Sequence, residues 1–146
     1  MTFPCLATIG YERATLDEVI ARLLAAKVDV VLDVRAIAAS RRAGFSKSVL
    51  AASLSEADIE YVHLRGLGTP KPGRDAARAG RTAEMRAIYQ AHLSEPQAVL
   101  DLARACEIVI GHRAALLCFE ADATRCHRAI VADLVRARTG CVVADL

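Results

Sequence analysis

Apolar and polar residues recur along this chain in two periods, and the switches between them mark out its elements. Residues 6–9 form a short apolar run closed by Gly10 and Tyr11, which predicts a strand. Leu16, Val19, Ile20, Leu23 and Leu24 then recur at helical spacing. They follow Thr15-Leu16-Asp17-Glu18, a capping box in which hydroxyl and carboxylate satisfy each other's free N–H groups. Residues 28–33 are apolar, rich in Val and too short for a helix, as expected of a central parallel strand buried on both faces. A polar loop over 36–45 leads to a helix over 46–56 carrying Val49, Leu50 and Leu54, and residues 59–64 read as a third strand ending near His63. Residues 65–81 hold Gly66, Gly68, Pro70, Pro72, Gly73 and Gly80 and predict a long loop of the functional or mobile kind.

Two helices follow, over 82–93 and 95–110, the second opened by Ser94-Glu95-Pro96-Gln97 as another capping box and stopped at Gly111. A strand over 114–119, a helix over 124–139 and a last strand over 141–144 complete the pattern. Strands alternating with helices predict one α/β domain over residues 1–146, a mostly parallel sheet of about five strands with helices on both faces. In such sheets ligands bind beyond the carboxyl ends of the strands. That edge would gather Gly10, Tyr11, Asp33, Arg35, His63, Cys118 and Glu120.

The densest chemistry lies between Ala115 and Arg128, where a strand passes through a polar turn into Cys126-His127-Arg128 at a helix start. Unpaired N–H groups and the macrodipole at a helix N-terminus favour negative charge, so Cys126, in the first turn, is expected to ionise readily. Arg128 adds a planar fork suited to carboxylate or phosphate. Neighbours on a helix diverge by about 100°, so Cys126 and His127 do not readily share one metal.

Composition narrows the class. The 146 residues are 54% hydrophobic, enough for a real core. Asp29 and Asp33 interrupt the most apolar stretch, which argues against a membrane span, and the first ten residues lack the charged start and long apolar run of a secretory signal. Five cysteines, at positions 5, 106, 118, 126 and 141, are an odd set without the close spacing of a stapled secreted domain, and are expected as reduced thiols in a cytoplasm. The net charge of +2 is uneven: residues 35–86 hold ten Lys or Arg against five Asp or Glu. Arg35, Arg41, Arg42, Lys47, Arg74 and others could thus border the carboxyl edge as a field for an anion. Arg35, beside Asp33 at the end of a buried strand, reads equally as a ligand donor or half of a structural ion pair.

Cys118-Phe119-Glu120, five residues, then Cys126-His127-Arg128 resembles the signature Cys-x-Glu-x5-Cys-His-Arg of the family called domain of unknown function 488, which includes the YeaO-like proteins. Thr8-Ile9-Gly10 resembles its opening Thr-Ile-Gly-His, Asp33-Val34-Arg35 its Asp-Val-Arg, and Ser40 with Phe45 its Ser-x-x-x-x-Phe. Tyr61 to Leu64 with Leu67-Gly68 is similar to its Tyr-x-x-Leu-x-x-Leu-Gly-Gly. The departures are Tyr11 for a His, Thr69 for the second Gly and Ala123 for a frequent Pro. The resemblance implies the fold and the site; it implies no reaction, since the family has none assigned.

Three readings follow. The first is a cytoplasmic protein whose carboxyl-edge cleft binds an anionic, phosphate-containing ligand and, in its stronger form, acts on it through a thiol. Cys126 would be the thiolate, Cys118 its resolving partner and Glu120 or His127 the proton carrier. Arg128, Asp33, Arg35, Arg41, Gly10 and Tyr11 would form the binding site. The second is a nucleic-acid or nucleotide binding module, against which stand the few aromatics, three Tyr, three Phe and no Trp. The third is a metal site from Cys118, Cys126, Glu120 and His63 or His112, ranked last because no ligand pair has a short rigid spacing. The first is adopted, and it calls for no cofactor and no membrane partner.

Overall fold

The computed structural model describes residues 5–122 and 126–146; Ala123 and the predicted helix start at Thr124 lie outside the described residues. Five strands, β1 (Cys5–Gly10), β2 (Val30–Asp33), β3 (Glu60–His63), β4 (Ala114–Cys118) and β5 (Val142–Asp145), make one sheet in the order β3-β2-β4-β1-β5. Every neighbouring pair is parallel. β2 and β4 sit inside the sheet and are buried at every position, which is why their sequences carry no polar face.

Alternate residues of the strands feed two cores. Ala7, Ile9, Val31, Ala115 and Leu117 point to the face covered by α1 (Leu16–Ala25) and α2 (Lys47–Glu56), where Val19, Leu23, Leu50 and Leu54 meet them. Leu6, Val30, Leu32, Ala114 and Leu116 point to the other. That face is covered by α3 (Lys71–Arg78), α4 (Thr82–His92), α5 (Pro96–Gly111) and α6 (Arg128–Thr139). The single α/β layer architecture read from the pattern is therefore present, with two helices on one face and four on the other. Among the described residues no helix is long and apolar enough to cross a membrane.

Local chemistry explains where the elements begin. Thr15 caps α1 through a bond from the Glu18 amide to its hydroxyl, 3.2 Å, which is half of the expected capping box; the Glu18 carboxylate faces Arg22 at 4.0 Å instead. Leu24 is half exposed, so the buried stripe of α1 is Val19 and Leu23, with Leu16 and Ile20 at its margins. The second capping box does not form. Ser94 donates instead to the Ala91 carbonyl at the end of α4, 2.7 Å, and Glu95 is the cap of α5, with Pro96 in the first turn where a missing N–H costs nothing. α6 starts at Arg128 rather than near 124, with His127 as its cap, so Cys126 precedes the helix instead of lying in its first turn.

The stretch 65–81 is not a long loop. It holds a 3-10 turn at Arg65–Leu67 and the two-turn helix α3. Pro72 falls in the first helical turn, where proline is tolerated, and Gly73 is needed because Thr69 packs against it closely. Only Gly73 and Ala76 of α3 are buried, so the helix carries almost no apolar signal.

Two close approaches draw the loops at the carboxyl edge together. A Cβ on Gly10 would fall on the Glu120 carbonyl, and one on Gly68 would fall on the Ala36 backbone. The turn after β4 thus lies directly on the end of β1, held by the Glu12 amide donating to the Phe119 carbonyl at 2.8 Å and the Ala121 amide donating to Glu12 Oε1 at 3.2 Å. Alanine at Gly10 must push the Glu120–Ala121 peptide away, an overpacking cost of about 1–3 kcal/mol. Gly10→Ala should lower the urea midpoint of unfolding accordingly, and an unchanged midpoint would show that the turn has slack.

Candidate functional site

A cleft of about 600 Å³ opens at the carboxyl edge of the sheet. Tyr11, Arg35, Cys118, Glu120, Cys126 and His127 line it, so groups from the ends of β1, β2 and β4 and the start of α6 do converge. Asp33 lies beneath, fully buried, and Gly10 supports the wall rather than facing the cavity. Arg128 is behind the wall with no exposed surface, and Arg41 is exposed on the loop after β2, outside the lining. His63 bonds the Arg35 carbonyl through Nε2 at 2.8 Å, while His112 pairs with Asp29 at 3.7 Å before β4 begins; neither reaches the cysteines.

The sulfurs of Cys118 and Cys126 meet, joined as a disulfide across a Cα separation of 7.5 Å. The expectation of five reduced thiols is revised to three, at Cys5, Cys106 and Cys141. The pairing follows from the fold. A strand end and a helix start eight residues apart are folded back on each other by the turn that Gly10 admits. Glu120 Oε2 lies 3.6 Å from Cys118 Sγ, and one ligand atom from each of Cys118, Glu120 and Cys126 fits within 4.8 Å of the others.

Arg128 explains more of the geometry than its sequence position suggested. Its Nη1 donates to Cys118 Sγ at 2.9 Å and to the Glu120 carbonyl, and its Nη2 donates to the Ala121 carbonyl at 3.0 Å. Nε has no partner among the described residues. Burial works against its charge and lowers its pKa, while Asp145, Glu120 and Asp122 act in the opposite direction. The cation therefore faces Cys118 and not Cys126, and a positive charge at hydrogen-bond distance favours a thiolate there.

His127 is the neighbour of Cys126. Its Nε2 is 2.7 Å from the Val34 carbonyl, which can only accept, so Nε2 carries the proton and Nδ1 is left as an acceptor 3.5 Å from Cys126 Sγ. Burial pushes its pKa down to about 4, the bond to Val34 resisting and the Arg128 charge adding to the fall. The imidazole is neutral near pH 7.

Asp33 and Arg35 form a buried ion pair at the end of β2. Arg35 Nε is 2.9 Å and 3.1 Å from the two carboxylate oxygens and Nη2 is 2.7 Å from one of them. Nη1 donates to the Phe45 carbonyl and the Tyr11 hydroxyl, and Tyr61 donates to the same carboxylate at 2.5 Å. Burial opposes the Arg35 charge, but Asp33 and Tyr11 outweigh it and raise the pKa. Tyr11 in turn stacks on Phe45 at 4.2 Å and meets Phe119 edge-on at 5.4 Å. Arg74 and Arg78, expected among the basic residues that border the carboxyl edge, line the cleft from α3. Thr69 and Met85, from the approach to α3 and from α4, were given no such role by the pattern.

His127 gives the site a pH dependence of known sign. Its folded pKa is below its ordinary value of about 6.5, so the unfolded chain binds the extra proton between pH 6.5 and 4 and stability falls as pH drops through that window. Between pH 7 and pH 5 this group alone should remove about 2 kcal/mol. His127→Gln, which keeps a donor for Val34, should flatten that part of the unfolding profile; an unaltered slope would mean that His127 titrates normally.

No curated protein and no solved structure matches the chain. The model of the family described as Domain of unknown function DUF488 matches residues 15–135, from the cap of α1 into the last turns of α6, and includes every cleft-lining residue after Glu12; the chain belongs to that family.

Proposed function

We propose that the cleft binds a small anionic ligand and acts on it through thiol chemistry, with Cys118 and Cys126 as a reversible dithiol and disulfide pair. The observation that carries this reading is the Arg128 guanidinium at 2.9 Å from Cys118 Sγ, with a second sulfur in contact, on the wall of an open cleft. Cys118 is then the attacking thiolate and Cys126 the resolving thiol, the reverse of what a helix-terminal Cys126 would suggest. Glu120, whose carboxylate lies close to both sulfurs on the cleft wall, carries the proton. Arg128 and Arg35 are already bonded within the protein, so the ligand's anionic group falls to Arg74 and Arg78.

The triad of Cys118, Glu120 and Cys126 favours a second reading, a metal held by three protein ligands with one position open. The guanidinium on Cys118 opposes a second cation there. Nucleic-acid binding has less support, because Tyr11, Phe45 and Tyr89 are buried, leaving Phe119 as the exposed ring at the cleft among the described residues.

Single-cysteine titration tests the assignment. In Cys126→Ser, Cys118 should alkylate with a midpoint below the reference thiol value of about 8.5, whereas Cys126 in Cys118→Ser should titrate at or above it. The opposite order would overturn the role given to Cys118. Failure of either thiol to label without denaturant would remove the thiol reading, and one tightly bound zinc per reduced chain would favour the metal.

A further inference from the structure

The charges lining the cleft are sorted by element. Arg74 and Arg78 come from one face of α3, and Glu12, Glu120 and Asp122 come from the turns after β1 and β4. Arg74 spends one donor on the Thr69 carbonyl at 2.8 Å and has no carboxylate partner among the described residues; Asp75, the acid of the same helix, pairs with Lys71 at 3.1 Å. Arg78 is exposed and has no partner among the described residues. Among the described residues Glu12 accepts from the Ala121 amide, and Glu120 Oε2 lies 3.6 Å from the Cys118 sulfur. A ligand that were only an anion would satisfy α3 and be repelled by the turns. One that were only a cation would meet the reverse.

We infer that the ligand is a small zwitterionic disulfide, with carboxylate groups for Arg74 and Arg78 and an ammonium group for Glu12 and Glu120. The inference rests on the thiol reading above and names its substrate class. The Cys118 thiolate attacks one sulfur of the ligand, forming a mixed disulfide as the ligand's own S–S bond breaks and the first thiolate leaves to take a proton from water. Cys126 then attacks the Cys118 sulfur and the second ligand thiolate leaves. The proton that Cys126 loses passes through Glu120 to that leaving group. The ligand is reduced to two thiols and the protein dithiol is oxidised to the Cys118–Cys126 disulfide found in the structure.

Four symmetric disulfides separate the possibilities when mixed with the reduced full chain and followed by acid quench and mass. They are cystine as the zwitterion, cystamine as the dication, dithiodipropionate as the dianion and hydroxyethyl disulfide as the neutral reference. After division by each compound's rate with a free model thiol, cystine should lead each of the others by about fivefold to tenfold, roughly the worth of one well-placed ion pair. Arg74→Gln with Arg78→Gln should cut cystine and dithiodipropionate and turn the preference toward cystamine, and Glu12→Gln should shift it the other way. Corrected rates that are equal for all four, or highest for the dianion, overturn the zwitterion while leaving the thiol reading in place. If none of the four oxidises Cys118 and Cys126 in the folded chain, the thiol reading itself falls.

Discussion

One guanidinium has no access to water and touches no carboxylate among the described residues, and the arrangement of the site follows from how it is accommodated. Burying an unpaired charge is among the most costly acts in a protein interior. Arg128 offsets that cost with the carbonyl oxygens of Glu120 and Ala121 and the sulfur of Cys118, all from the end of β4 and the turn that follows. The turn cannot relax without stranding the charge. It is thereby pressed against Gly10, where no side chain fits, and the start of α6 is held beside the end of β4. A thiolate at Cys118 would complete the neutralisation that neutral oxygens begin.

The other buried guanidinium, Arg35, shows the contrast. It shares a fully buried carboxylate with the Tyr61 hydroxyl and has Tyr11 and Phe45 on its remaining donors. Such a network fixes the end of β2 and leaves little unspent polarity to offer a ligand. The two arginines thus divide the work: one braces the end of β2 and the other holds the turn after β4 beside the Cys118 sulfur.

What was legible in the sequence had an apolar period behind it. β2 and β4 announced themselves as short, largely apolar runs because both their faces are buried, and Thr15 marked the start of α1 because capping is local chemistry. α3 was invisible for the opposite reason, since Lys71, Pro72, Arg74, Asp75 and Arg78 make a helix that meets the core only through Gly73, Ala76 and Ala77. Ser94 had two carbonyl and amide environments within reach and bonded backward, a choice made by the geometry of the α4 to α5 turn. The convergence of strand ends was foreseeable from topology, but which cysteine would receive the arginine was not, because it depends on a turn whose course is set by a tertiary contact at Gly10.

The order of strands across the sheet bears on how the chain assembles. β2 and β3 can pair as soon as both exist, but β1 has neighbours only in β4 and β5, and β4 alone joins β1 to β2. A chain emerging from its N-terminus therefore carries β1 unpaired through roughly its first three quarters, a non-local topology of the kind that folds slowly. The keystone that finally closes the sheet is the strand that ends in Cys118. A partly made chain holds no cleft and no neighbour for β1, and Cys118 acquires its contacts with Arg128 and Cys126 in the same event that makes the sheet whole.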